Sequence, residues 1–96
     1  MEKENLVAAM EEKFIFVFWL ALHLKAQGQQ RDGLQLAAEL NARGLRTSYG
    51  EPFKGLRGTY KLLKAAYRYV ERRFGANVAA VIADVFTKPD GTHAWA

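Results

Sequence analysis

Apolar and basic residues form two separate helical rows in the second half of the chain. The apolar row consists of Leu56, Tyr60, Leu63, Tyr67, Val70 and Phe74. The basic row consists of Arg57, Lys61, Lys64, Arg68 and Arg72. Steps of three or four residues keep each row on one face of a 3.6-residue helix, with the two faces about 120° apart. The pattern predicts a helix over about 55–74 that begins between Lys54 and Gly58, with one face for a core and another that is strongly basic.

The most apolar part of the chain is the run FIFVFWLALHL at residues 14–24, whose aromatic and branched residues also favour strands. Its charged start and the Ala, Leu, Lys and Gln that follow favour a helix over about 6–27, buried around most of its circumference. Two roles remain open for the aromatic side chains. They form plain core, or Phe16, Phe18 or Trp19 projects outward as a dimer seam, because a helix that is apolar all round must be covered.

Capping residues mark a shorter helix between these two. Asp32, with Gln35 three residues later, fits a capping box and begins a helix over about 33–43. Gly44 suits the left-handed position that ends such a helix. This short helix and the basic helix after it are predicted to form a helix-turn-helix pair.

The end of the chain predicts one more helix and a hairpin. Asn77 is the expected N-cap of a helix over about 77–86, and the turn at 88–91 favours a β-hairpin over 86–95. No linker or internal repeat interrupts the plan. The predicted fold is therefore mainly α: a single-domain bundle over 1–96 of about four helices, with the helix-turn-helix pair and a C-terminal β-hairpin.

Positive charge is concentrated on the predicted helix-turn-helix pair. The 96 residues have a formal net charge of +4, but residues 43–73 hold nine basic and two acidic residues, net +7, and the rest is net −3. A local positive field of this kind attracts a polyanion. A solvated helix face is the alternative interpretation, but the acids that would form i,i+4 ion pairs are almost absent from this segment.

The composition also limits the chemistry and the compartment. With no cysteine, one serine (Ser48), and histidines His23 and His93 without carboxylates at ligand spacing, we predict a non-enzyme with no cofactor and no metal site. The nine apolar residues at 14–22 fall short of the roughly 20 that span a membrane. Acidic residues before them are unlike a signal peptide. We therefore expect a cytoplasmic, nucleoid-associated protein that does not bind membranes.

A resemblance to a known family supports the helix-turn-helix prediction. The segment LAAELNARGLRTSYG at residues 36–50, followed by Phe53, resembles the DNA-binding "recombinase" region of large serine recombinases, over roughly residues 34–63. In that family an alanine and a Leu-Asn pair on one helix precede Gly, Thr and Gly, then an aromatic residue and the recognition helix. The resemblance implies a DNA-reading module of the kind found on phages and mobile elements. It implies no strand cleavage, because the catalytic domain of that family has no counterpart among these residues.

The basic helix is expected to lie along the DNA major groove. Its first turn would contact bases, with Arg57 and Lys61 able to reach guanine acceptors. Five arginines would hold phosphates: Arg43, Arg46, Arg68, Arg72 and Arg73. Tyr49 would rest on the sugar-phosphate chain or cover its own loop. The predicted DNA-binding residues are Arg43, Arg46, Ser48, Tyr49, Lys54, Arg57, Thr59, Lys61, Lys64 and Arg68.

The sequence therefore predicts a small protein that binds double-stranded DNA, as a bacterial or phage-type transcriptional regulator or accessory factor, and that forms a homodimer through residues 14–24. The alternative is a protein–protein adaptor that docks a partner through its aromatic first helix or its C-terminal hairpin. RNA binding is a third candidate, but no exposed aromatic platform motif supports it.

Overall fold

In a computed structural model of the chain, the described residues fold into four α-helices. The structure describes residues 2–47, 49–54 and 57–86, with side chains from residue 10 onward except that of Arg57. The helices are α1 (Glu2–Gln27), α2 (Gly33–Ala42), α3 (Arg57–Phe74) and α4 (Ala76–Val85). The mainly helical class is confirmed, and α1 begins about four residues earlier than predicted. Apart from Phe86, the predicted hairpin over 86–95 lies outside the described residues.

Side chains from all four helices meet in one hydrophobic core. The fully buried members with the largest side chains include Leu24 of α1, Leu36 and Leu40 of α2, Leu63 and Val70 of α3, and Ile82 and Val85 of α4. The helices α1, α3 and α4 pack on one another, and α2 packs against α3. Because α3 contacts each of the other three helices, its buried face and its direction are fixed by the whole core.

Aromatic pairs join α1 to α3 beside this core. The Phe14 and Tyr69 rings lie 5.1 Å apart between centroids, and the Phe18 and Phe74 rings lie 5.8 Å apart and stacked. Such pairs add about 0.5–1.5 kcal/mol beyond the burial of their apolar area. Half of the aromatic run therefore belongs to the α1–α3 contact, as the core interpretation predicted.

The prediction that α1 is buried around most of its circumference is wrong. Ile15, Trp19 and Leu22 are 55%, 55% and 46% exposed. The buried positions Val17, Leu20, Ala21 and Leu24 lie on the opposite side of the helix. The helices beside α1 cover only that one side. No helix in the described part of the chain has the length and apolar character needed to cross a membrane.

Local capping explains why α2 begins and ends where it does. The Asp32 carboxylate accepts a hydrogen bond from the Gln35 backbone N–H at 2.9 Å, and the Gln35 side chain accepts one from the Asp32 backbone N–H at 3.0 Å. This reciprocal pair is the predicted capping box. At the other end, Gly44 has φ +82°, and the Leu45 backbone N–H donates to the Leu40 carbonyl at 3.0 Å. That is the pattern of a Schellman C-cap.

A single residue, Gly75, connects α3 to α4. Its φ of +93° is strained for a residue with a side chain, so glycine permits the sharp change of direction. Gly75 also occupies the N-cap of α4, which has no side-chain cap. The prediction that Asn77 caps this helix is therefore wrong, because the helix begins at Ala76, before Asn77 is reached.

Candidate nucleic-acid interface

The outward face of α3 is a row of positively charged side chains. Its described members are Lys61, Lys64, Arg68 and Arg72, all exposed. The opposite side of α3 is buried and consists of Thr59, Leu62, Leu63, Ala66 and Val70. At 100° per residue the two rows lie roughly 180° apart, so the basic row, as we call these four residues, faces directly away from the core.

This geometry corrects the apolar row predicted for α3. Tyr60 and Tyr67 are only half-buried, and Phe74 is 57% exposed. Leu62 and Ala66 take core positions that the predicted row did not include. The centre of the buried face therefore lies about 60° around the helix from the centre of the predicted one. Since the basic row is unchanged by this rotation, the two faces are separated more completely than expected.

None of the four cations of the basic row has a carboxylate partner among the described side chains. The three ion pairs there lie elsewhere: Lys25–Asp84 at 3.0 Å, Arg31–Glu39 at 3.0 Å and Arg73–Glu11 at 4.0 Å. Glu71, the one acid on α3, is exposed and joins none of them. Like charges three or four residues apart on a helix repel each other, so the basic row costs the isolated protein stability and leaves its positive field uncompensated.

The length of the basic row suits a polyanion with regular charges. Lys61 and Arg72 are separated by eleven residues, or about 16 Å along the helix axis at 1.5 Å per residue. Duplex DNA carries a phosphate about every 3.4 Å along each strand. A helix bearing four cations over this length can therefore contact several phosphates or lie along the major groove.

Several predicted site residues fall near the start of α3. Lys54 is exposed in the connection just before the helix. Arg57 is the first residue of α3, and its side chain lies outside what the structure describes, as does all of Ser48. Thr59 is 1% exposed, so its assignment to the DNA-binding surface is wrong. The helix starts at Arg57, and this register turns position 59 toward the core together with Leu63 and Val70.

The connection between α2 and α3 is held by Asn41. Its side-chain amide accepts a hydrogen bond from the Phe53 backbone N–H at 2.8 Å and donates one to the Phe53 carbonyl oxygen at 2.8 Å. Phe53 itself is buried. At residues 43–56 the connection is much longer than the roughly three- or four-residue turn of a simple helix-turn-helix. Asn41 therefore fixes the end of this long loop next to the start of α3.

Tyr49 lies at the tip of this loop. The Thr47 carbonyl accepts a hydrogen bond from the Gly50 backbone N–H at 2.9 Å, and the Thr47 backbone N–H donates to the Glu51 carbonyl at 2.8 Å, which closes a tight turn. Tyr49 is 92% exposed, so it does not cover its own loop. Of its two predicted roles, only contact with something outside the loop fits this position.

The two arginines of the connection make internal contacts. Arg46 donates through Nη1 to the backbone carbonyls of Leu45 at 2.8 Å and Asn41 at 3.3 Å, although its side chain stays exposed. The Arg43 guanidinium lies 5.4 Å from the centroid of the Phe16 ring on α1. Arg43 is thus brought to α1, whereas Lys61, Lys64 and Arg68 are brought together on α3.

Two features that involve α1 were not predicted from the sequence. The first is Lys13, which is only 9% exposed, with its ammonium 6.0 Å from the centroid of the buried Phe53 ring; burial lowers the pKa of Lys13 below its ordinary value. The second is an open groove of about 520 Å³ between α1 and the α2–α3 connection. It is lined by Glu11, Glu12, Ile15, Phe16, Trp19, Arg43 and Leu45. No pattern in the sequence identifies either feature, because both depend on how α1 is rotated against the connection.

The described residues contain no group of three or more His, Cys, Asp or Glu side chains that could hold a metal ion. Glu39, half-buried and hydrogen-bonded to Arg31, keeps one carboxylate oxygen without a partner, but it stands alone. The surface that concentrates unpaired charge is the outward face of α3. No protein-family model, curated protein or solved structure matches this chain.

Proposed function

We propose that this protein binds duplex DNA through the basic row of α3, as a small regulator or accessory factor. The observation that carries the proposal is the set of four exposed cations, unpaired among the described side chains, on the side of α3 directly opposite the core. A solvated helix in a protein with no polyanionic partner gains stability from interleaved acids, and this row has only Glu71 beside it.

Further features support duplex DNA as the polyanion. The basic row spans about 16 Å of α3, a length that fits along a major groove. Lys54 and Tyr49 are exposed on the connection that precedes the first turn of α3. In helix-turn-helix proteins the N-terminal residues of the second helix contact bases while the flanking loop contacts the backbone. The resemblance of residues 34–63 to the recombinase DNA-binding region supports the same role for α3, although the connection before α3 is longer than in a simple helix-turn-helix. We include in the proposal that the protein acts as a homodimer through residues 14–24.

Salt dependence of binding tests the electrostatic part. Anisotropy of a labelled random duplex, titrated with the protein at several NaCl concentrations, should give a log–log slope of about −4 for four to five phosphate contacts. A slope near zero, or no binding at low salt, would contradict the proposal. The variant Lys61→Gln/Lys64→Gln should bind more weakly, with a slope smaller in magnitude by about 2.

Arg73 offers a matched control on the same helix. Its guanidinium lies 4.6 Å from the Tyr69 ring centroid and beside Glu11, so it points toward α1 rather than along the basic row. Arg73→Gln should therefore leave the salt slope unchanged. If Arg73→Gln and Lys61→Gln/Lys64→Gln reduce the slope equally per charge removed, binding depends on net charge and not on the basic row.

Selection of bound duplexes from a random pool tests whether the protein reads sequence. A symmetric pair of enriched half-sites is expected from a dimer, with a spacing near one helical turn or a multiple of it. A structured RNA that competes as well as duplex DNA would favour RNA as the partner.

One observation favours the adaptor as a second candidate. The groove beside Trp19 has apolar walls with acidic residues at its edge, a combination that suits a protein partner. An adaptor would retain that partner when Lys61 and Lys64 are reversed in charge, and would lose it when Trp19 is changed to alanine. The docking role predicted for the C-terminal hairpin falls outside the described residues.

A further inference from the structure

The outward face of α3 presents hydrogen-bond donors. Between residues 58 and 68 the exposed positions are Gly58, Lys61, Lys64 and Arg68. Their side chains, where they have one, end in an ammonium or a guanidinium, and both groups donate hydrogen bonds and accept none. Thr59, whose hydroxyl can do both, is 1% exposed and lies in the core. This part of the face therefore matches a partner that offers acceptors.

The positive field of α3 is strongest in its first half. Glu71 is the one acid of the helix, and it is exposed three residues after Arg68 and next to Arg72. A negative charge at this position weakens the field around those two arginines. Lys61 and Lys64 lie two to three turns earlier, where the helix holds no acid. An electron-rich group is therefore attracted most strongly to the two lysines.

Among the base edges of the major groove, guanine matches a pure donor best. Its N7 and O6 atoms are two adjacent acceptors, whereas adenine has a donor beside its acceptor and cytosine presents a donor. Thymine has one acceptor beside a methyl group. Ala65, half-buried at the edge of the basic row, is the one residue there whose methyl group can contact that of thymine.

We infer that Lys61 and Lys64 select guanine in the major groove, whereas Arg68 and Arg72 hold phosphates without reading bases. The two lysines lie about 4.5 Å apart along the helix axis, close to the 3.4 Å spacing of base pairs, so they reach guanines of neighbouring pairs. The N-terminal part of a recognition helix is also the part that contacts base edges. The inference rests on the proposed binding of duplex DNA and adds the class of site that is bound.

Base analogues test this choice without changing the charge of the duplex. Anisotropy at one low NaCl concentration compares duplexes of equal length that contain guanine, 7-deazaguanine or inosine. 7-Deazaguanine lacks the N7 acceptor, whereas inosine keeps N7 and O6 and lacks only the amino group in the minor groove. The protein should bind the guanine and inosine duplexes equally, and the 7-deazaguanine duplex and an A·T duplex about tenfold more weakly.

The other outcomes of this experiment are distinct. Equal binding of all four duplexes overturns the inference and leaves DNA binding through phosphates intact. Weaker binding of the inosine duplex places the contact in the minor groove and also overturns it. A preference for A·T that disappears when uracil replaces thymine assigns base reading to Ala65 instead. Failure to bind any duplex contradicts the proposed function itself, and the inference with it.

Paired variants locate the base contact on α3. In Lys61→Ala/Lys64→Ala the ratio of affinities for the guanine and 7-deazaguanine duplexes should fall from about ten to near one. Arg68→Ala/Arg72→Ala is the matched control, since it removes the same number of exposed charges from the same row. It should weaken binding of both duplexes alike and leave their ratio near ten. A ratio that persists in the lysine variant, or disappears in the arginine variant, contradicts the assignment. Circular dichroism of both variants checks that the helices remain folded.

Discussion

The outward faces of α1 and α3 occupy equivalent positions in the fold but differ in chemistry. Each lies opposite a buried row and is in contact with solvent. The outward face of α3 bears Lys61, Lys64 and Arg68, whereas that of α1 bears Ile15, Trp19 and Leu22. Water solvates the charges of the first, whereas the second leaves apolar area in water at about 25 cal/mol per Å². The two faces therefore differ in the chemistry that suits them: a polyanion complements the charges of α3, and another apolar surface complements α1.

The difference also determines how well the buried face of each helix can be predicted from the sequence. On α3 the two faces differ in residue type, so periodicity alone separates the side that is buried from the side that is not. On α1 both faces are apolar, and periodicity cannot say whether Leu22 or Leu24 lies in the core. Only the packing of α3 and α4 against one side of α1 decides that question.

The largest effect is expected from paired substitutions on α1. Leu24 is 1% exposed, so Leu24→Ala should lower the free energy of unfolding by about 2–5 kcal/mol through lost burial and a cavity. Leu22 is 46% exposed, and Leu22→Ala should cost less than about 1 kcal/mol. Urea denaturation at low protein concentration, where the monomer dominates, measures both. Equal losses would mean that α1 has no distinct outward face.

A smaller loss of stability is expected from a change at Asn41. Asn41 holds the connection that leads into α3 and has no such role for α1. Asn41→Ala removes both hydrogen bonds to the backbone of the buried Phe53 and should lower the free energy of unfolding by about 1–3 kcal/mol. It should weaken DNA binding and leave self-association unchanged. Asn77→Ala is the matched control, since Asn77 is exposed and caps no helix. An Asn41 variant with unchanged DNA affinity would show that the connection does not position the basic row.

Asp32 lies on neither outward face, so a change there should affect stability without affecting either proposed interaction. Asp32→Ala removes the acceptor for the Gln35 backbone N–H and should cost about 1 kcal/mol in thermal or urea unfolding. Gln35→Ala leaves that acceptor in place and should cost less. Neither change should alter DNA affinity or the dimer dissociation constant once the protein is folded. A specific loss of either would mean that α2 contributes to an interface.

The smallest effect, a gain in stability, is expected at Lys64. Lys64→Glu replaces a repulsion with Arg68, four residues later, by an attraction and should raise the free energy of unfolding by about 0.5 kcal/mol. The same change should weaken DNA binding, because it reverses a charge in the middle of the basic row. Denaturation and anisotropy measured on one preparation give both numbers. A variant that is more stable and binds DNA as well as the wild type would reduce the basic row to a solvated face.

Local signals account for what could be predicted. The capping box at Asp32 and the helix end at Gly44 involve residues within five positions of each other, and both are confirmed. Asn41 and Phe53 are twelve positions apart, and the burial of Lys13 depends on that same loop, so neither had a local signal. Thr59 was assigned to the DNA-binding surface as part of the first turn of the basic helix, yet the register of α3 turns it inward. Residue type therefore predicted the positively charged face of α3, but it did not predict which residues of α3 are buried.

The single-residue corner at Gly75 bears on the order of folding. The helices α3 and α4 pack on each other and are adjacent in sequence, so their contacts close only a short loop, whereas α1 must return from far along the chain. We expect the α3–α4 pair to form first and α1 to dock onto it later. Folding kinetics of Ile82→Val and Val17→Ala would measure this, with the higher φ-value expected at Ile82. The basic row would then be in place before α1 docks, so the surface proposed to bind DNA forms before the core is complete.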